Sequence, residues 1–334
     1  MKKSNHQIKF GFCIPLFANP GMLFFRTPAY KRLDWESIVK TVLNSERLGY
    51  DSAFVADHVF LGRNGEIWEC MSVMAALAAV TKRMDIIPIH LCNNFRHPSI
   101  VAKALSTMSH ISNGRINLFY DYGWRKVEFD NYGIDFGRND QERVARMAEG
   151  LQIIKGMLQE KAYSFKGKYY QVKKAINAPL PIKKIPIWMG EANNPLMVKH
   201  IARFADVFNS MPCSLENFQK KTQIIFAECK KQGRNSNTMG LSLETQVLIC
   251  KTKKEVEQKL AQYRKMIKYN NSLDGDILAQ LKATNPSGID YNSSESLRQE
   301  FMIGTPDQIK EKISAFTKLG VSHFMLWFMD YPDN

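Results

Sequence analysis

Residues 49–59 read GYDSAFVADHV. A glycine placed to stop a helix is followed by a short apolar strand, Ser52–Ala56, which delivers Asp57 and His58 at its C-terminal end. The strand is apolar almost throughout, and that absence of alternation is the mark of a strand buried on both faces, as parallel sheets require. In parallel α/β proteins the C-terminal ends of the strands face the ligand crevice or the barrel mouth, so an acid and an imidazole released there stand where chemistry is done. The plain alternative is a local cap, with Asp57 bonding amides of the next loop and His58 merely packed.

The pattern extends in both directions. Upstream, Trp35, Ile38, Val39, Val42 and Leu43 form one apolar stripe behind an N-cap at Asp34, and Gly49 ends that helix. Ile8–Ile14 is a first strand, joined to it by a long Phe-rich loop, Pro15–Leu33. Downstream come a loop at His58–Ile67, a helix at Trp68–Val80, a strand at Asp85–His90, a loop at Asn93–Pro98, a helix at Ser99–Ile111 and a strand at Arg115–Tyr120. An extended loop, Asp121–Asn139, precedes a helix at Asp140–Leu158 and a hairpin around Lys166–Lys168. Strands at Ile185–Met189, Asp206–Asn209 and Leu241–Ile249 alternate with helices at Pro195–Phe204, Leu215–Lys231 and Lys253–Ile267. The Asn- and Ser-rich stretch Tyr269–Glu300 reads as a mobile insertion. Thr305, Pro306 and Gln308 then open a capped helix that stops at Gly320, and His323–Phe328 is the last strand.

Strand and helix alternate roughly eight times, the order of a (βα)8 TIM barrel with insertions, in a single domain spanning 1–334. A doubly wound sheet is the other arrangement of such units, but its Gly-x-Gly-x-x-Gly turn is missing, as are the phosphate-loop, nucleophile-elbow and His-Glu-x-x-His patterns.

Composition bounds the function. The 334 residues are 45% hydrophobic, and neither a leader-like apolar segment nor a run of membrane-spanning length occurs, so a soluble cytoplasmic protein is expected. Six cysteines stand singly, which suggests neither a disulfide framework nor a metal site. The net charge is +14, and Lys161–Lys184 holds seven lysines and no acid among Tyr163, Phe165, Tyr169 and Tyr170. No arginine cluster or nucleic-acid motif accompanies them, so they are read as a solvated face that attracts an anionic cofactor or substrate, not as a nucleic-acid surface.

With these stretches in view, the chain resembles the bacterial luciferase-like superfamily of flavin- and deazaflavin-dependent oxidoreductases. GYDSAFVADH at 49–58, MAALAAVTKRMDI at 74–86, FRHPSIVAKALSTMSHISNGRI at 95–116 and GWRKVEFDNYGIDF at 123–136 carry the likeness, with RVARMAEGLQIIKGML at 143–158 and YSFKGKYYQV at 163–172. PIWMGEANNP at 186–195, IGTPDQIKEKI at 303–313 and GVSHFMLWF at 320–328 complete it, in the family's order.

The resemblance implies a barrel with flavin across its C-terminal mouth. Asp57 and His58 match the pair that approaches the ring or substrate, His58 as acid or base oriented by Asp57, with an imidazole chosen because its ordinary pKa lies near neutrality. Ile89 and His90 match the end of the third strand, where family members often have a cis peptide. Tyr122 and Gly123 match a pair beside the ring, Arg143 an arginine of the following helix, and Gly190, Glu191, Ala192, Asn193 and Asn194 the loop that cradles the phosphate with backbone amides. Without the family, His90 could simply fill the mouth, Arg143 could pair with Glu142 or Asp140, and Gly190 could serve the turn alone. Arg96, His97 and Trp124 are expected in the pocket wall.

The departures from the family pattern are specific. Phe119 and Asp121 stand where glycines usually end the fourth strand, Glu191 stands in the phosphate loop, and the closing C-terminal helix is expected to be absent, leaving an edge that a partner subunit could cover. The implied function is a monooxygenase using reduced FMN from a separate flavin reductase, dioxygen and a small organic substrate, as a homo-oligomer, a dimer, with no metal, membrane or nucleic acid. A deazaflavin-dependent hydride-transfer enzyme is the alternative within the fold, and a non-catalytic barrel that has lost its cofactor is the alternative outside catalysis.

Overall fold

A computed structural model describes residues 7–16, 33–61, 65–190, 194–270, 290 and 293–330. Twelve strands are present among them. In chain order they are β1 Lys9–Cys13, β2 Ser52–Ala56, β3 Asp85–Ile89, β4 Leu91–Cys92, β5 Leu118–Asp121, β6 Ala162–Lys166, β7 Gln171–Ile176, β8 Ile187–Met189, β9 Val207–Ser210, β10 Gly240–Ile249, β11 Met302–Gly304 and β12 Val321–Phe328.

The main sheet runs β3-β2-β1-β12-β10-β9-β8-β5-β4, every neighbouring pair parallel. β4 follows β3 after one residue and pairs with β5, and Ile86 bridges to Ile116, so the two ends of the path meet and the sheet closes on itself. This is a TIM-barrel-like fold, as the alternation of elements predicts. β11 adds a short strand to β10, and β6 and β7 form the expected antiparallel hairpin.

The local signals act where the sequence puts them. Asp34 Oδ2 accepts Ser37 N–H at 2.8 Å to start the helix Trp35–Arg47, and Gln308 Oε1 accepts Thr305 N–H at 3.0 Å to start Pro306–Lys318. All five residues of β2 are buried, as a two-sided strand should be. Boundaries shift by at most three residues, as in β5, which begins at Leu118 and not at Arg115, and in the helix Lys253–Asn270, which runs three residues past Ile267. Arg115 instead uses its guanidinium to satisfy carbonyls of Ala78, Thr81, Met84 and Ser112 at the bottom of the barrel.

Two stretches read as irregular contain helices. Lys126–Tyr132 lies in the loop 121–139 and stops at Gly133 in the left-handed region, and Ser294–Glu300 lies in the expected insertion, the rest of which, 271–289 and 291–292, is outside the described residues. The loop 15–33 and the absence of a closing helix likewise fall mostly on residues that are not described. The outer faces of β1, β10 and β12, between the helices Trp35–Arg47 and Pro306–Lys318, border an apolar groove of about 340 Å³ lined by Phe10, Leu326, Phe328, Ile309 and Ile313 among others. Among the described residues no helix is long and apolar enough to cross a membrane.

Inside the barrel the filling is unusually polar. TIM-barrel interiors are normally layers of branched aliphatic side chains. Here Ser52 Oγ meets His323 Nε2 at 2.8 Å, Trp188 Nε1 donates to Asn117 at 3.1 Å, and Trp327 Nε1 donates to Glu244 Oε1 at 3.0 Å. These contacts fix which side of each strand faces the axis, and the alternation of β12 turns Phe324, Leu326 and Phe328 outward toward the helices.

Candidate active site

The C-terminal ends of β2, β3, β4 and β5 converge on one rim, and the residues singled out there come together. Asp57 is buried, and three donors reach its carboxylate: Cys92 N–H at 2.8 Å, and Arg96 through Nη1 at 2.9 Å and Nη2 at 2.8 Å. Arg96 Nη2 also reaches Glu69 Oε1 at 2.5 Å. Burial opposes the charge of Arg96, but the adjacent Asp57 carboxylate more than compensates and raises its pKa further. Burial likewise pushes Glu69 up, yet hydrogen bonds from Ser72 and Arg96 outweigh it and hold that carboxyl at about 2. Asp57 therefore clasps the segment after β3 to β2, a fork-to-fork pairing that point charges could not orient as well.

His58 has a different partner from the expected one. Its Nδ1 lies 2.8 Å from Glu128 Oε2, while Glu128 Oε1 accepts Val59 N–H at 2.9 Å. A carboxylate that already accepts backbone amide hydrogens acts as an acceptor toward the imidazole as well, so Nδ1 is the donor in this contact and the Glu128 carboxylate orients the ring. Glu128 is 1% exposed and sits on the short helix Lys126–Tyr132, hidden from a periodicity reading by its seven-residue length. Sequence reasoning missed it. The signal was available in VEFDNYG at 127–133, an acid five residues before a glycine stop.

Ile89 and His90 are joined by a cis peptide, in the place the resemblance implied. His90 packs edge-on against Phe119 with ring centroids 4.1 Å apart, and its Nδ1 is 3.9 Å from Asp121 Oδ2. The two residues that replace glycines on β5 are thus engaged by one histidine and form a floor under the rim. Gly123 keeps its glycine for a reason: its φ is +78°, and a Cβ there would lie 2.7 Å from Cys92 Sγ. Trp124 stands edge-on to His58 at 6.1 Å. Asp57, His58, Ile89, His90, Gly123, Trp124 and Glu128 all line a cleft of about 30 Å³, room for a group of water size. His97 lies apart from that cleft, capping the helix Pro98–Ile111 and packing against Tyr170.

A second cluster adjoins through Tyr122. Asn194 caps the helix Pro195–Phe204, and its Nδ2 donates to Tyr122 Oη at 3.1 Å. Arg143 lies over the rings of Tyr122, at 5.8 Å, and Phe136, at 3.9 Å, and pairs with Asp140, whereas Glu142 is taken by Arg138 and Arg146. Arg143 Nε is buried with no hydrogen-bond partner among the described residues. Gly190 closes β8 against Asn209, whose carbonyl oxygen a Cβ would meet at 3.3 Å, and Phe119 at 3.4 Å. Glu191, Ala192 and Asn193 lie outside the described residues. A helix N-terminus with a side-chain amide and a buried guanidinium that has hydrogen-bonding capacity left over is chemically fitted to an anion.

Asp57, His58, Ile89, His90 and Gly123 thus meet at one cleft, and Tyr122, Arg143 and Asn194 in the cluster beside it. A family model for luciferase-like monooxygenases matches residues 16–323. An FMNH(2)-dependent dimethylsulfone monooxygenase of Pseudomonas fluorescens (strain Pf0-1) is 24% identical over 99% of this chain and 92% of its own length. An F420-dependent glucose-6-phosphate dehydrogenase of Amycolatopsis mediterranei (strain U-32) is 31% identical, over 51% of this chain and 52% of its own length. Among solved structures, EDTA monooxygenase from Chelativorans sp. BNC1 superposes with a TM-score of 0.78 at 16% identity, over 98% of this chain and 90% of that one, a likeness of fold.

Proposed function

Since the chain belongs to the luciferase-like monooxygenase family, whose members are oxidoreductases that use flavin-type cofactors, we propose that it is the oxygenase component of a two-component flavin system. When bound, reduced FMN supplies the electrons with which dioxygen is activated and one oxygen atom reaches a small organic substrate. A separate reductase provides the reduced flavin in this reading.

The residues fit an anionic cofactor at the Tyr122, Arg143 and Asn194 end of the rim. Asn194 Nδ2 and the free Nε of Arg143 would hold the phosphate. The cleft beside His58 has room for a group of water size and not for a tricyclic ring, which the Ile89–His90 rim would hold. His58 moves a proton at Nε2 while Glu128 holds Nδ1, and Asp57 with Arg96 keeps the rim rigid.

What favours reduced FMN is the extent of the match: the FMNH(2)-dependent relative aligns along nearly the whole chain, the F420-dependent one along half. Fluorescence titration of the purified protein with FMN, reduced FMN and coenzyme F420 tests this. FMN affinity in the micromolar range or tighter supports the proposal, and tight F420 binding with no FMN binding replaces it with deazaflavin hydride transfer.

The roles of Glu128 and His58 are separable from binding. Glu128→Gln keeps the shape of the side chain but can donate to Nδ1 and so reverse the tautomer of His58. Turnover should fall at least tenfold, toward the roughly 10²–10⁴ that a positioned acid–base group contributes, with KM for substrate little changed. Equal loss in KM and none in kcat would assign Glu128 to substrate binding instead.

A further inference from the structure

The β6–β7 hairpin has two unlike faces. Side chains alternate across a ribbon of strands, and one set, Tyr163 and Phe165 on β6 with Val172 and Ala175 on β7, packs against the barrel core. The other set is exposed and carries Lys166, Lys173, Lys174 and Ile176 beside the small side chains of Ala162 and Ser164. Lys173 and Lys174 together oppose the single Ser164, a bulge in which Lys174 takes φ +47°, so two lysines in succession reach the outward side. Ser164 Oγ accepts Lys174 N–H at 2.8 Å, and Glu149 accepts the N–H groups of Lys168, Tyr169 and Tyr170 at 2.8, 2.8 and 3.1 Å, which fixes the bulge and the turn.

Lys161, Lys166, Lys168, Lys173 and Lys174 are all exposed, and none of them is in an ion pair among the described residues, whereas Lys184, at the end of the same basic stretch, is paired with Asp206 at 2.5 Å. Unneutralised charge of one sign on a pinned ribbon is a field aimed outward. What it attracts is limited by the rest of the face. The strip borders neither the cleft at the rim nor the groove outside β1, β10 and β12, so a small anion placed on it would stay in water. Nucleic acid is read with arginine forks at base edges and exposed rings against the bases. Residues 161–184 hold no arginine, and Tyr163 and Phe165 are turned inward. Ile176 stands 72% exposed at the end of the strip, across the ladder from Ala162, and offers an apolar contact that a protein uses and a sugar-phosphate chain does not.

We propose that the outward face of β6 and β7 is a docking surface for a protein partner that presents carboxylates around an aromatic or aliphatic side chain. The carboxylates meet Lys166, Lys173 and Lys174, and the apolar group covers Ile176. Charge complementarity of this kind speeds the encounter and excludes basic partners, while the apolar contact sets how long the pair lasts. The strip shares no residue with the cleft or with the Tyr122, Arg143 and Asn194 cluster, so the surface stands whichever cofactor the rim holds.

A copolymer of glutamate and tyrosine, polyglutamate alone and a short DNA duplex are the probes, each labelled and followed by fluorescence anisotropy against the full chain. The copolymer should bind about fivefold or more tighter than polyglutamate, and Ile176→Ser should erase that preference. Replacing Lys166, Lys173 and Lys174 together by Gln should weaken the copolymer about tenfold or more, a loss that fades between about 0.01 M and about 1 M salt as the screening length falls from about 30 Å to about 3 Å. Replacing Lys230, Lys251 and Lys253 together by Gln removes the same charge from exposed positions elsewhere and should leave copolymer binding within about twofold of the wild type. All seven substituted side chains are exposed, so none of these variants opens the core. Equal losses in the two triple variants would mean that net charge alone attracts the probe, and they overturn the inference. So does a failure of the copolymer to bind, a preference that survives Ile176→Ser, or a duplex that binds tighter than the copolymer and is lost in the hairpin variant, which would make the face a nucleic-acid surface.

Discussion

Asp57→Ala should lower the free energy of unfolding by about 3 kcal/mol, measured by urea denaturation at neutral pH. Removing one partner of a buried ion pair costs about 3–5 kcal/mol, because the other charge remains in a poor solvent. The low end applies here, since the side chain of Arg96 is 17% exposed and Glu69 still reaches Nη2 at 2.5 Å. The same substitution strips the acceptor from Cys92 N–H and frees the segment carrying Ile89 and His90, so cofactor affinity should fall with stability. Arg96→Leu in the same background decides the cause. If the ion pair carries the effect, the double variant loses less than the sum of the two single losses by at least 1 kcal/mol, as contacting residues do. Strict additivity would mean that Asp57 acts through the backbone amide of Cys92 and not through Arg96.

That network shows what could be read from the residues and what could not. The barrel and the positions of Asp57 and His58 follow from apolar strands alternating with capped helices and from the ends those strands expose, whereas Ile89, His90, Tyr122 and Gly123 are picked out only by what the family resemblance implies. The pairing within the rim does not follow. Neighbouring residues on a strand end point in different directions, so Asp57 turns to Arg96 and His58 to Glu128, 70 residues away. Glu128 was hidden because a seven-residue helix holds too few turns for a periodic signal.

The inward face of β10 was hidden for the opposite reason. In LSLETQV, 241–247, the pattern of alternating polar residues is clear, but alternation ordinarily marks a face turned to water. In this barrel, whose outer face packs against helices, the polar face is the inner one. Only closure of the sheet reveals which side Ser242, Glu244 and Gln246 take, and the same holds for His323, read from sequence only as the first residue of the last strand.

His323 gives the second large effect. It is 6% exposed, bonded to Ser52 and flanked by the rings of Phe54 and Trp188. Burial, and after it the charge of Lys9, presses its pKa down to about 3. The unfolded chain binds this proton near pH 6.5, whereas the folded one refuses it until about pH 3. Stability from this group is therefore complete above pH 6.5 and is lost as pH falls through that window, by about 1.4 kcal/mol per unit and roughly 3–5 kcal/mol in all. Glu69, held at about 2, is lost in the same direction, so the wild-type slope alone identifies no single residue. The difference between wild type and His323→Leu does. Unfolding free energies measured from pH 7 to pH 3 should diverge at neutral pH from the cost of the substitution itself and then converge on acidification, as the wild type loses what the variant never had. Parallel curves would mean that acid reaches the barrel interior through other groups, and that the Ser52–His323 contact is held by the imidazolium as readily as by the neutral ring.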